Sequence, residues 1–218
     1  TIDDGQATAS SSTTVYVSNT GLTVTDVLIT PQTATVGDQL TCAVVVDDPD
    51  LQGYTEAFVW TNATSGLALG TGSTLTVDSS MANPTDEIEC SATVVDPAGA
   101  TGSGAGVIIL GNQDPVINSV TFTESNPTVG DTITCVADAE DPDDDALTLS
   151  YEWTNNTTSA VLANTEDLLL DAAVVTGGDT ITCTVTAEDS YGGSDVLDSS
   201  ITLDNSLPVI ASVIGCST

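Results

Sequence analysis

The segment Val129-Gly130-Asp131-Thr132-Ile133-Thr134-Cys135 is repeated along the chain. Its earlier copy is Val36-Gly37-Asp38-Gln39-Leu40-Thr41-Cys42, and looser copies are Gly178-Asp179-Thr180-Ile181-Thr182-Cys183 and Thr85-Asp86-Glu87-Ile88-Glu89-Cys90. Glycine and aspartate are typical of turns, and the alternating apolar residues that follow are typical of a strand with one buried face. Each copy therefore predicts a turn followed by a strand whose cysteine faces inward.

The spacing of the cysteines shows that the copies belong to a long repeat. Cys42 and Cys90 are 48 residues apart, and so are Cys135 and Cys183. Trp60 and Trp153 each lie at the same distance after the first cysteine of their pair, and the shift between the copies (135 − 42) is 93 residues. A repeat of this length predicts tandem domains.

The same register sets the expected domain boundaries. Residues 19–111 and 112–204 are predicted to be complete repeats. Residues 1–18 are expected to be the last strand of a preceding repeat, or else a strand donated to a neighbouring subunit. Residues 205–218 are expected to be the first strand of a following repeat, so we expect this sequence to be a window on a longer protein.

The charge of the chain excludes several functions. There are 32 acidic residues and no lysine, arginine or histidine, giving a formal net charge of −32. Nucleic-acid binding needs cations against phosphate and is therefore excluded for these residues. No apolar run approaches the roughly 20 residues of a membrane span, so no membrane insertion is expected here. Intrinsic disorder is disfavoured because 40% of the residues are hydrophobic and alternate with polar ones.

The cysteines indicate an oxidising compartment. Two pairs in register, Cys42–Cys90 and Cys135–Cys183, predict one disulfide in each repeat, and disulfides of this kind are typical of extracellular or cell-surface proteins. The fifth cysteine, Cys216, falls where the period supplies no partner. It is expected to pair outside this sequence, to pair with another chain, or to be free.

The fold class predicted is all-β. Short alternating segments separated by Gly, Pro, Asn and Asp are typical of a β-sandwich, and no segment has the period of a helix. Within each repeat the disulfide would bridge the two sheets, with the tryptophan packed beside it. The predicted strands lie at 22–30, 38–46, 54–61, 73–77, 86–95 and 105–110, and at 115–123, 131–139, 147–154, 166–171, 179–188 and 195–203.

These features resemble those of known domains. The Cys…Trp…Cys order, with the tryptophan on the third strand, resembles an immunoglobulin-like (Ig-like) sandwich. The runs Asp86-x-Ile88-x-Cys90 and Asp179-x-Ile181-x-Cys183 resemble the segment before the second cysteine of such domains, with isoleucine where tyrosine usually stands. The acidic loop followed by residues 147–153 is similar to the PKD-like and Ig-like repeats of large bacterial surface proteins. The resemblance implies tandem sandwiches in a surface fibre or an adhesin stalk.

Acidic loops are the candidate binding sites. An acidic turn follows the second strand of each repeat and is expected to lie at the same pole as the loop before the last strand and the linker. Carboxylates from three segments would then converge with no basic residue beside them, which suits Ca²⁺. The candidate ligands are Asp47, Asp48, Asp50 and Asp96 in the first repeat, and Asn112, Asp114, Asp141, Asp143, Asp144, Asp145, Glu188 and Asp189 in the second. The alternative is a solvated turn.

Three asparagines lie in N-glycosylation sequons. They are Asn62, Asn155 and Asn156, close after the two tryptophans. The alternative, which we favour, is that asparagine simply starts the turn after the third strand.

The function predicted from these features is structural and non-enzymatic. Without histidine, lysine or arginine there is no base for a catalytic triad and no imidazole metal ligand. We expect a rigid acidic spacer of a secreted surface fibre or filament, with self-association or contacts to neighbouring repeats. The alternative is the stalk of an adhesin or a carbohydrate-binding module whose binding tip lies outside this sequence; Tyr54 and Tyr191 are the aromatic residues left for a sugar-binding surface.

Overall fold

The computed structural model describes residues 1–205 and contains β-strands without helices in that range. The described residues form two compact units. The first comprises residues 1–32, 40–75 and 87–108, and the second comprises residues 33–39, 76–86 and the described residues from 109 onward. The predicted strand at 205–218 and Cys216 lie outside the described residues, apart from residue 205.

Most of the strands lie close to the residues predicted for them. Strands β1–β9 are Ile2–Asp3, Thr8–Ala9, Thr23–Thr30, Gln39–Asp47, Thr55–Asn62, Leu67–Thr71, Thr74–Thr76, Glu87–Val95 and Thr101–Ile109. Strands β10–β16 are Val116–Phe122, Thr132–Glu140, Thr148–Asn155, Ala160–Ala163, Asp167–Leu169, Thr180–Glu188 and Ser194–Thr202.

Both halves of the chain have the same sheet order. A three-stranded sheet β3-β4-β7 and a four-stranded sheet β6-β5-β8-β9 recur as β10-β11-β14 and β13-β12-β15-β16. The neighbouring pairs β10–β11, β12–β15 and β15–β16 are antiparallel. The all-β, Ig-like sandwich class is thus confirmed.

Each sandwich has a disulfide beside a buried tryptophan. Cys135 on β11 and Cys183 on β15 join the two sheets of the second sandwich, with Cα atoms 6.5 Å apart. The Trp153 side chain is fully buried, and its Nε1 donates to the Thr165 carbonyl oxygen at 2.8 Å. Ile133, Leu170, Ile181, Val185 and Leu203 are among the other buried side chains of this core.

The first sandwich repeats this arrangement. Cys42 on β4 is bonded to Cys90 on β8, with Cα atoms 6.4 Å apart. The Trp60 side chain is fully buried, and its Nε1 donates to the Gly72 carbonyl oxygen at 2.9 Å. Both predicted disulfides are therefore confirmed.

The repeated Gly-Asp segment is a turn held by its aspartate. Gly130 has a φ of 101°, a conformation that glycine adopts at little cost, and the Asp131 Oδ2 accepts a hydrogen bond from the Thr128 backbone N–H at 2.8 Å. The Asp179 Oδ2 accepts from the Thr176 N–H in the same way, at 2.9 Å. The hydrogen bonds that these two backbone N–H groups donate lower the pKa of Asp131 and of Asp179. These carboxylates therefore stabilise the turns in their charged form.

The copy at residues 85–90 forms the same turn without glycine. The Asp86 Oδ2 accepts from the Asn83 N–H at 3.0 Å, and Thr85 takes the left-handed position with a φ of 71°. A β-branched residue in this region is strained, because its side chain crowds the backbone.

Two edge strands were not predicted from the sequence. Strands β6 and β13 each pair with one neighbour across a register shift beside the tryptophan, at Trp60/Thr61 and at Trp153/Thr154. Their residues are exposed or half-buried, so the alternation that identifies a half-buried strand is absent.

Strand β9 begins four residues before the predicted start at 105. Its inward positions include Gly102, Gly104 and Gly106, which lack the apolar side chains that signal a strand. A Cβ atom added at Gly104 would lie 2.8 Å from the Val24 side chain. Glycine therefore allows a close approach of strand β3 at these positions.

The N-terminal segment differs from its predicted form. Residues 13–17 are not in a strand, and Val15, Tyr16 and Val17 are more than four-fifths exposed. A strand needs a hydrogen-bonded neighbour, and in residues 1–18 the paired strands are β1 and β2 instead. The assignment of residues 1–18 to a preceding repeat or a neighbouring subunit stays a prediction.

Replacement of Thr85 by glycine should stabilise the protein by about 1 kcal/mol, since relief of the left-handed strain exceeds the entropy cost of glycine. Urea unfolding of the oxidised chain measures this change. The reverse change at the corresponding turn, Gly178→Thr, is the matched control and should destabilise. A lower urea midpoint for Thr85→Gly would contradict the strain argument.

Candidate metal centre

The loop after strand β11 brings three carboxylates together. Carboxylate oxygens of Asp141, Asp143 and Asp145 lie within 4.8 Å of one another. The Asp141 Oδ1 accepts hydrogen bonds from the backbone N–H groups of Asp143 at 2.8 Å and Asp145 at 3.4 Å. The loop thus folds around one oxygen of Asp141, whose side chain is nine-tenths buried.

The linker before strand β10 closes over this loop. The Gln113 backbone N–H and side-chain Nε2 both donate to the Asp143 carboxylate, at 2.6 and 2.8 Å. These two bonds satisfy both oxygens of Asp143, which is 2% exposed. Asp143 therefore anchors the linker to the loop.

A third segment, between strands β15 and β16, completes the group. The Asn112 Nδ2 donates to the Asp189 Oδ2 at 2.8 Å, and the Asp189 Oδ1 accepts from the Gly193 N–H at 2.8 Å. A Cβ atom added at Gly193 would lie within 3.0 Å of oxygens of Asp189 and Asp114 and of the Asn112 amide nitrogen. The absence of a side chain at Gly193 therefore leaves room for two carboxylates.

Three buried oxygens of this group have no hydrogen-bond donor among residues 1–205. They are Asn112 Oδ1, Asp141 Oδ2 and Asp145 Oδ2. A buried oxygen without a donor is costly, and a buried carboxylate oxygen more so. No lysine, arginine or histidine exists in the chain to pair with them. A cation is the partner whose charge suits all three.

The pKa shifts of the carboxylates in this group also favour a bound cation. Burial, followed by the charges of neighbouring carboxylates, that of Asp141 first, raises the pKa of Asp145. The side-chain amide of Asn112 is the main cause that lowers the pKa of Asp189, so that carboxylate is held in its charged form. The Asp141, Asp143 and Asp145 triad could therefore hold a metal ion through oxygen ligands.

The structure brings together most of the residues predicted for the second repeat. Contacts within this group involve Asn112, Asp114, Asp141, Asp143, Asp145 and Asp189. Asp144 and Glu188 are exposed and lie outside the group. Gln113 and Gly193 were not predicted. Gly193 aligns with Ala100 in the 93-residue register, so a comparison of the repeats could have found it.

The corresponding acids of the first repeat accept equivalent hydrogen bonds, and Gln52 adds a donor that the second repeat lacks. The Asp48 carboxylate accepts from the backbone N–H groups of Asp50 at 3.1 Å and of Gln52 at 2.9 Å. The Asn19 Nδ2 donates to Asp96 at 2.8 Å, and the Asn19 Oδ1 accepts from the Gln52 Nε2 at 2.8 Å. Asp47 is exposed.

The three sequon asparagines occupy two kinds of position. Asn62 and Asn155 are buried, and their Oδ1 atoms accept from the backbone N–H groups of Ser65 at 3.0 Å and Thr157 at 2.9 Å. These bonds are those of asparagines that begin a turn. The Asn156 side chain is exposed, and its Nδ2 donates to the Thr182 hydroxyl. Glycosylation of these residues stays a prediction.

No protein-family model matches the chain, and no curated protein matches its sequence. Similar solved structures include the three N-terminal domains of the highly immunogenic outer capsid protein of bacteriophage RB49, at 16% identity and a TM-score of 0.30. Others are the ectodomain of mouse nectin-like molecule 4, at 13% identity and a TM-score of 0.34, and a 1.5-MDa bacterial ice-binding adhesin, at 17% identity and a TM-score of 0.33.

These matches cover 84%, 87% and 87% of this chain, respectively. The chain spans 59% of the phage chain, 66% of the mouse chain and 67% of the adhesin chain. The TM-scores are too low for the similarities to bear on function. Within residues 1–205 there is no helix of the length and apolar character needed to cross a membrane.

In the presence of chelator, Asp145→Asn should raise the melting temperature at pH 7, because it removes a partly buried charge next to Asp141 and replaces one carboxylate oxygen with an N–H donor. A raised pKa means that ionised Asp145 destabilises the fold as pH rises from the ordinary value of 3.8 through the folded-state value. The gain should therefore shrink toward pH 4. Thermal unfolding followed by circular dichroism measures it.

The matched control is Asp144→Asn, which removes an exposed carboxylate from the same loop and should leave the melting temperature nearly unchanged. A lower melting temperature for Asp145→Asn in chelator would show that the carboxylate is stabilising without a cation.

Proposed function

We propose that this chain is a non-enzymatic structural spacer in a secreted, cell-surface array of Ig-like sandwiches, such as a fibre or filament. The observation that carries the proposal is the recurrence of one sandwich plan with a 93-residue shift. Sheet order, disulfide and tryptophan all recur together. Tandem copies of one domain are suited to providing length, and self-association with neighbouring repeats is the partner interaction we propose.

The chemistry of the chain supports an extracellular, structural role. Each sandwich has its own disulfide, a feature of proteins that fold in oxidising compartments. Several acidic side chains, such as Asp131 and Asp179, are used to hold turns. Uncompensated negative charge keeps such a surface soluble and is screened in a salty medium.

We propose Ca²⁺ as the cation of the second sandwich. Its ligands would be the three oxygens that lack protein donors, on Asn112, Asp141 and Asp145, with Asp189 and Asp114 beside them. Ca²⁺ accepts six to eight oxygen ligands in irregular geometry, whereas Mg²⁺ demands a near-ideal octahedron and retains waters. Ligands from a linker and loops of different lengths suit the more tolerant ion. The ion would hold these segments together.

Calcium should raise the melting temperature of the second sandwich. A ligand at 100 times its dissociation constant stabilises the folded state by about 2.7 kcal/mol, which is about 10 °C or more for a domain of this size. Melting curves with Ca²⁺ and with chelator, at constant ionic strength, measure the shift. Mg²⁺ is the control and should have a smaller effect. Identical curves in Ca²⁺ and chelator would contradict the site.

Electron microscopy of the native material isolated from the cell surface tests the structural role. Ordered filaments that contain this chain are expected. Separate flexible rods ending in a distinct domain would instead favour the adhesin stalk. Recovery of the chain as a compact, intracellular protein would contradict both forms of the proposal.

A further inference from the structure

We infer that one sequence position determines which sandwich takes a cation: Asp145 in the second sandwich requires the ion, and Gln52 in the first replaces it with its own amide. The inference rests on the proposed cation site and adds the residue that specifies it. The two positions correspond in the 93-residue register.

Four residues around the two positions are identical in the two sandwiches. The equivalent pairs are Asn19 and Asn112, Asp48 and Asp141, Asp50 and Asp143, and Asp96 and Asp189. In both sandwiches the asparagine Nδ2 donates to the last aspartate of this set at 2.8 Å. The loop backbone is also alike, because Leu51 and Asp144 occupy equivalent left-handed positions with φ of 53° and 63°. At the next position the two loops carry different side chains, Gln52 and Asp145.

In the first sandwich, both oxygens equivalent to those without donors in the second accept a hydrogen bond from Gln52, one from its side chain and one from its backbone. Its Nε2 donates to the Asn19 Oδ1 at 2.8 Å, and its backbone N–H donates to the Asp48 Oδ2 at 2.9 Å. The same Nε2 is 3.4 Å from the Asp50 Oδ2. The partially positive end of one amide thus occupies a place among oxygens, as a cation would.

In the second sandwich, the Asp145 side chain cannot donate the hydrogen bond that the Gln52 side chain donates in the first. A carboxylate has no N–H to offer, so the Asn112 Oδ1 has no donor. The Asp145 backbone N–H donates to the Asp141 Oδ1, at 3.4 Å, and leaves the Asp141 Oδ2 without a donor. The substitution therefore removes a donor and adds a negative charge at the same point.

Two further differences favour a cation at the second site, one by adding a carboxylate and one by leaving room for it. Asp114 stands where the first sandwich has Gly21, and Gly193 stands where it has Ala100. The methyl group of an alanine at 193 would collide with oxygens of Asp189 and Asp114. These changes favour a divalent ion in the second sandwich and should make any site engineered in the first one weaker.

Exchange of the two residues tests the inference. Calorimetric titration of the full oxidised chain with CaCl₂ should show one site in the wild type and none in Asp145→Gln. Gln52→Asp should show two sites, the added one weaker, and the double variant should show a single weak site. Asp144→Asn is the control and should bind as the wild type does. Gln is already accommodated at position 52 in the same loop, so Asp145→Gln should fold; its circular dichroism spectrum verifies this.

The outcomes separate the inference from the site on which it rests. A wild type that binds no Ca²⁺ would overturn the cation site and the inference together. Unchanged binding by Asp145→Gln would overturn the inference alone and leave the site standing. Failure of Gln52→Asp to gain a site would show that this position does not determine cation binding.

Discussion

The constraint on which this structure depends is that its acidic side chains have no cationic side chain to pair with. The chain carries 32 Asp and Glu residues and no Lys, Arg or His. Each carboxylate must therefore face water, accept hydrogen bonds from N–H or O–H groups, or bind an ion from outside. The turns before the cysteine strands take the second route, because the backbone N–H of Thr128 or Thr176 donates to an aspartate. Asp141 and Asp145 each retain a buried oxygen that has no donor in the part of the chain that the structure describes.

The stability of the sandwich core offsets the cost of burying polar groups in these loops. Each disulfide joins the two sheets next to a fully buried tryptophan, and apolar side chains such as Ile133 and Ile181 fill the space around the second of these pairs. Burial of this apolar surface and the cross-link supply stability that does not depend on charge. The loops at the strand ends are then free to differ between the repeats. The Gln52 side chain donates to Asn19, whereas the Asp145 side chain at the equivalent position has no N–H to donate to Asn112.

Much of the fold was predictable because the two repeats can be aligned at a shift of 93 residues and compared position by position. The register predicted both disulfides, and the topology of the sandwich predicted the convergence of Asn112 with Asp189. Edge strands β6 and β13 were not predicted because they lack a buried face. The first residues of β9 were not predicted because its inward positions are glycines. The sequence could not separate Asp144 from Asp145, since the left-handed φ of Asp144 decides which carboxylate turns inward. Gln113 was missed because its role depends on the backbone approaching Asp143.

We propose that the oxygens without donors in the second sandwich are ligands of one bound cation. A crystal structure of the chain grown with Ca²⁺, with anomalous difference density measured at a long wavelength, would locate such an ion. One strong peak is expected about 2.3–2.6 Å from Asn112 Oδ1, Asp141 Oδ2 and Asp145 Oδ2. Density for water alone at this position, with Asp145 turned out to solvent, would contradict it.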